Sequence, residues 1–117
     1  MKAMLELNHK EVKQIILKSD DEEKCREILN RLQLFITENE MQPTDVQWLS
    51  LVSHVSAMVD RSVNGEVIQG FHASLFSEVS HASIEMAEKV CGWITRLHED
   101  EKYLLSIHFE NIKNNKQ

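Results

Sequence analysis

The residues this chain uses least constrain it most. Three glycines and one proline are all the chain breakers that 117 residues contain. A sheet protein of this length turns often, and it builds its turns from those residues. A chain with so few of them is expected to form long helices with few interruptions. The length suits one domain. At this size roughly 60–70% of the unfolded surface is buried on folding, enough for a single core.

The helix signals can be read in order. Residues 1–18 are read as an N-terminal extension whose apolar cluster, Val12, Ile15, Ile16 and Leu17, fits either a helix or a strand. The domain is set at residues 19–117. Ser19 followed by Glu22 fits a capping box, and the acids from Asp20 to Glu23 suit the positive end of a helix dipole. Cys25, Ile28, Leu29, Leu32, Phe35 and Ile36 then recur at helical spacing, to an end near Asn39. Pro43 breaks the chain, and Thr44 with Gln47 fits a second capping box. The following helix, DVQWLSLVSHVSAMVDRSV, stops at Asn64-Gly65.

Residues 65–70 form a loop between two glycines, and Phe71 to Val79 is expected to be a short helix. A longer helix is expected from Ile84 to Leu97. Gly92 inside it costs about 1 kcal/mol relative to Ala and marks close helix packing. The segment HEDE leads to a last helix ending near Lys113, and the polar NNKQ tail is expected to fray. The fold class is therefore all-α, a compact bundle of about five helices.

Charge and composition exclude several functions. The net charge is −6, and only the short KNNK stretch is basic, so direct contact with nucleic acid is not expected. No segment approaches transmembrane length and the N-terminus has no apolar signal core, so a cytoplasmic location is expected. Cys25 and Cys91 fall on apolar helix faces as buried free thiols, with no Cys-x-x-Cys pair. No nucleophile motif, glycine-rich phosphate loop or carboxylate pair suggests catalysis, and no cofactor is expected.

Two histidines stand out. On a helical wheel of residues 103–112, Tyr103, Leu104, Leu105, Ile107, Phe109 and Ile112 fill one broad arc, and His108 and Asn111 fall in its middle. Ser106, Glu110 and Lys113 take the other side. A polar side chain on a core-facing stripe needs a hydrogen-bond partner or a cleft. In VQWLSLVSHVSAMVDR, His54 lies at the edge of the apolar arc, with Ser50 one turn before it and Arg61 two turns after. The stripe Ser50, His54 and Arg61 is polar and half-buried. Each histidine taken alone is also consistent with a hydrogen-bonded core residue.

Together, LVSHVSAMVDR and DEKYLLSIHFEN resemble the two histidine motifs of the PTS regulation domain. The first is an apolar helix with Arg seven residues after His. The second is an acidic pair, an apolar run, then His and Asn. The resemblance covers roughly residues 20–114. It implies a compact, typically dimeric helical domain of bacterial carbohydrate regulation, here a stand-alone single-domain member. It further implies that His54 and His108 accept phosphoryl groups from the phosphocarrier HPr or an enzyme II component, with Arg61 and Ser50 near the first and Asn111 near the second. Phosphorylation would shift dimer or partner contacts. The segment around residues 71–87 is shorter than in the family and lacks its Asn-Pro and Tyr-Pro signals.

Two other readings remain. One is a helical interaction or dimerisation module without phosphorylation. The other is a metal-binding bundle using several of the six histidines, against which no His-x-x-x-His or Glu-x-x-His pair is expected within one helix. His9, His72, His81 and His98 match no motif and are expected to be structural or exposed. His98 is expected at a helix C-terminus, where a cation suits the dipole.

Overall fold

The computed structural model describes residues 10–68 and 76–115. In chain order the helices are α1 (Lys10–Leu17), α2 (Glu22–Glu38), α3 (Asp45–Asn64), α4 (His81–Cys91) and α5 (Glu101–Lys113). The expected all-α bundle is found, with five helices among the described residues, one of them α1, which the sequence leaves as helix or strand. The expected short helix from Phe71 to Val79 falls largely outside the described residues, as do His9, His72 and Gly70.

Helix α3 runs through the middle of the bundle, with α1, α2 and α5 packed on it, and α4 pairs with α5. Its Trp48, Leu51, Val52, Val55, Met58 and Val59 are all buried. Helix α2 adds Leu29, Leu32 and Ile36, and α5 adds Leu105, Phe109 and Ile112. Phe35 of α2 meets Phe109 of α5 edge-on at 6.0 Å and Trp93 at 5.5 Å, tying both ends of the core. Residues 10–17, placed in the extension by the sequence, form α1. Its Val12 and Ile16 are fully buried in this same core. Burying each contributes roughly 1.5–3 kcal/mol.

The helix ends show where local signals compete. Thr44 forms its capping box with Gln47 as expected, each side chain accepting from the other's backbone N–H. Gln47 also exchanges amide hydrogen bonds with Asn115, whose Nδ2 donates to the Gln42 carbonyl as well. The tail expected to fray is thus tied down through Asn115 to the start of α3. Thr44→Ala is expected to cost about 1 kcal/mol, within a range of roughly 0.5–2 kcal/mol, as a lowered urea midpoint at unchanged slope.

The Ser19–Glu22 capping box does not form. Asp21 is the N-cap of α2 and accepts from the Lys24 N–H at 3.0 Å. Ser19 instead donates to Asp60 of α3 at 3.1 Å, and the Asp20 N–H donates to the same oxygen at 2.9 Å. Any of the residues from Ser19 to Asp21 can cap, and the tertiary bond to Asp60 takes Ser19 out of the competition.

Gly65, at φ +72°, caps α3 in the left-handed region that a Cβ disfavours. Gly92 behaves differently from expectation. Helix α4 starts earlier, at His81 after the cap Ser80, and ends at Cys91, so Gly92 is its C-cap and not an interior residue. Residues up to Leu97 form turns, and Ile94 is buried from one of them. Apolar spacing continues past the helix because the turn presents the same side chains to the core.

Candidate functional site

Helices α3 and α5 bring His54 and His108 together. Their ring centroids lie 4.9 Å apart with the planes tilted by 53°. The two rings line an open groove of about 570 Å³ with Val46, Leu49, Ser50 and Ser53 of α3. Ser50 therefore sits in the groove beside His54, as the helical spacing of four predicts. Val46 completes the same row, and Leu49 and Ser53 line the groove from the neighbouring row of α3. Val46 is found by stepping back along α3 from His54 at helical spacing, two turns before it.

Both rings are half-buried. Burial is the main cause that lowers the His54 pKa to about 4, and the neighbouring His108 and the Arg61 charge push it the same way. Burial lowers His108 as well. Both imidazoles are therefore neutral near pH 7, the nucleophilic form. His54 Nε2 is buried with no hydrogen-bond partner among the described residues. An imidazolium there would have a buried N–H with nothing to donate to.

Arg61 is placed by a different partner from the one the sequence suggested. Its Nε donates to Glu101 Oε2 at 2.8 Å and its Nη2 to Oε1 at 2.7 Å, a bidentate pair across α3 and α5. The Glu101 side chain is 1% exposed and that of Arg61 21%. Glu101 is half of the acidic pair in the sequence, yet spacing alone gave no sign that it would be buried against Arg61. The same carboxylate, after burial itself, helps push the Cys91 thiol up to about 12, so that thiol is unreactive near neutral pH. Cys25 is buried, and its Sγ donates to Ser56 at 3.6 Å.

Asn111 does not face the core. It is exposed, and its carbonyl accepts from Gln47 Nε2 at 3.3 Å. The buried face of α5 is Glu101, Leu105, Ser106, Phe109 and Ile112, which turns the helix relative to the wheel reading. Ser106 is buried with its hydroxyl donating to the Tyr103 carbonyl at 2.7 Å, whereas Ile107 is 38% exposed. The apolar arc was broad enough to face the core in two ways, and the Glu101–Arg61 pair and the Phe109–Phe35 contact select one. His108 is left at the edge, beside the groove.

The other two histidines among the described residues, His81 and His98, stand apart from this pair. His81 is exposed near Glu85. His98 lies in the connection before α5, not at a helix C-terminus. Its Nδ1 accepts from the Asp100 N–H at 3.0 Å. Among the described residues no three His, Cys, Asp or Glu side chains gather where they could hold a metal ion. No helix among them is long and apolar enough to cross a membrane.

No family model matches the chain, and no curated protein matches it. A solved structure does. The crystal structure of a PRD-containing transcription regulator from Lactobacillus casei ATCC 334 is 35% identical, over 89% of this chain and 93% of that one, with a TM-score of 0.84. Similarity of sequence and backbone over nearly the full length of both chains, with the two motif histidines side by side, places the chain in the PRD family, the PTS regulation domains.

Proposed function

We propose that this chain is a non-enzymatic regulatory domain whose His54 and His108 accept phosphoryl groups from the bacterial sugar phosphotransferase system. The donor is HPr or an enzyme II component, and the output is a change of dimer or partner contacts in carbohydrate-linked transcriptional regulation, in the cytoplasm. The observation that carries this reading is the meeting of two neutral imidazoles, from motifs 54 residues apart, in one accessible groove. The relative from Lactobacillus casei is a transcription regulator by description, which supports the regulatory role.

The physical mechanism follows from the groove's surroundings. Val46 in the groove is 74% exposed, and Ile107, next to His108 in the chain, is 38% exposed, apolar surface suited to a second copy or another protein. A phosphoryl group adds roughly −1.5 to −2 charge and three acceptor oxygens. Placed among those apolar side chains, it disfavours a contact formed by the unmodified surface. Arg61 supplies positive potential towards His54, and Ser50 offers a hydroxyl. Asn111 lies beyond His108 on the exposed face of α5. The net charge of −6 favours action through protein contacts over direct binding of nucleic acid.

The test is incubation of the protein with phosphoenolpyruvate, enzyme I and HPr, with and without enzyme II components, followed by peptide mapping at alkaline pH. Label is expected on His54, His108 or both, and the His54→Ala/His108→Ala double variant is expected to lose it entirely. Undiminished label in the double variant overturns the assignment.

A further inference from the structure

Resting on the reading of His54 and His108 as phosphoryl acceptors, we infer that the two compete. A phosphoryl group on one ring slows modification of the other by about tenfold or more, so the closed arrangement of α3 and α5 carries one phosphoryl group and not two. Three observations combine.

The first is distance. With ring centroids 4.9 Å apart, groups attached to both rings lie close together, and two anions of nearly double charge repel strongly at such a range. The second is the absence of countercharge in the groove. Apart from the histidines it is lined by Val46, Leu49, Ser50 and Ser53, none of which carries a charge. Two hydroxyls can serve the oxygens of one phosphoryl group, but they cannot neutralise a second.

The third is the commitment of Arg61. Both of its hydrogen bonds go to Glu101, whose carboxylate is almost wholly buried. Releasing Arg61 to a phosphoryl group would leave that carboxylate charged and unpaired in the interior, which is strongly unfavourable. The pair as a whole is neutral, so it offers little to a second anion. A phosphorylated histidine therefore makes the groove hostile to the next donor, and the second acceptor is used only if α3 and α5 separate.

Phosphoramidate tests this without any protein donor. Its P–N bond breaks as the ring nitrogen–phosphorus bond forms, and the nitrogen leaves as ammonium, carrying the proton the ring gives up. Wild type, His54→Gln and His108→Gln would be labelled in parallel, with occupancy of each histidine read by alkaline peptide mapping. Asn variants at the same positions and circular dichroism control for folding.

In wild type the combined occupancy of His54 and His108 is expected to reach one per chain and then to rise at about a tenth of the initial rate or less. In each single variant the remaining histidine is expected to reach one by itself. Two per chain, with a doubly labelled fraction equal to the product of the single-site occupancies, overturns competition, and so does no label at either position in any variant. Competition under phosphoramidate with no label from HPr or enzyme II would overturn the functional reading alone. Label from HPr at both sites on one chain would uphold that reading and overturn competition.

Discussion

Arg61→Ala is expected to destabilise the fold by about 3–5 kcal/mol, the largest effect of any single exposed-to-intermediate polar residue in the bundle. The reason is the partner left behind. Glu101 is 1% exposed, and both of its oxygens are satisfied by the Arg61 guanidinium. Without Arg61 that carboxylate sits in the interior at the first turn of α5 with no counter-ion. The double variant Arg61→Met/Glu101→Leu is expected to recover most of the loss, because two apolar side chains of similar volume leave no charge to solvate. Urea unfolding of the three proteins checks both statements. If the single and double variants are equally destabilised, Arg61 contributes by packing of its stem and not by pairing.

The second large effect is a loss of stability on acidification, expected on the order of 3 kcal/mol between pH 6.5 and pH 4. It arises at His54, whose folded pKa is lowered to about 4 by burial first, then by His108 and Arg61. The unfolded imidazole takes up its proton near pH 6.5. Between these values the unfolded chain binds more protons than the folded one, so stability rises with pH in that window. It is fully present above pH 6.5 and lost as pH falls toward 4. His108, lowered by burial, acts in the same direction. Unfolding free energies at several pH values should therefore show a shallower slope in His54→Gln than in wild type. A slope that is the same in both proteins would falsify the burial of an unpartnered imidazole at this position. The functional corollary is that the groove keeps His54 in its nucleophilic form throughout the neutral range.

Much of this protein could be read along the chain because its signals are local. The Thr44–Gln47 box and the Asn64-Gly65 stop bracket α3 at the observed residues, since a cap depends only on side chains within a few positions of the helix end. The all-helical architecture follows from apolar spacing and the scarcity of glycine and proline, although α1 is not among the helices that spacing identifies. His54 and His108 were identified because each carries a polar ring where its helix is otherwise apolar. The motif spacing around them is also local, which is why a family resemblance was visible from sequence.

What the sequence left open was decided between helices. Ser19 can cap α2 or bond across to Asp60, and only the packing of α2 on α3 settles which. Val12 and Ile16 look like any short apolar cluster until α3 offers a surface to bury them. The arc of α5 spans more than half of its wheel, so periodicity alone allows two rotations. The Arg61–Glu101 pair turns Glu101 and Ser106 inward and leaves Asn111 in solvent. Arg61 is likewise seven residues from His54 in any helix, but whether its guanidinium is free for an anion depends on a carboxylate 40 positions further along the chain. By itself the sequence determined that α2, α3 and α5 are helices, both ends of α3, and the two unusual histidines, because those depend on neighbours along one chain segment. The tertiary structure alone decided that the histidines share one groove and that its nearest arginine is already taken, because both depend on which faces of α3 and α5 meet.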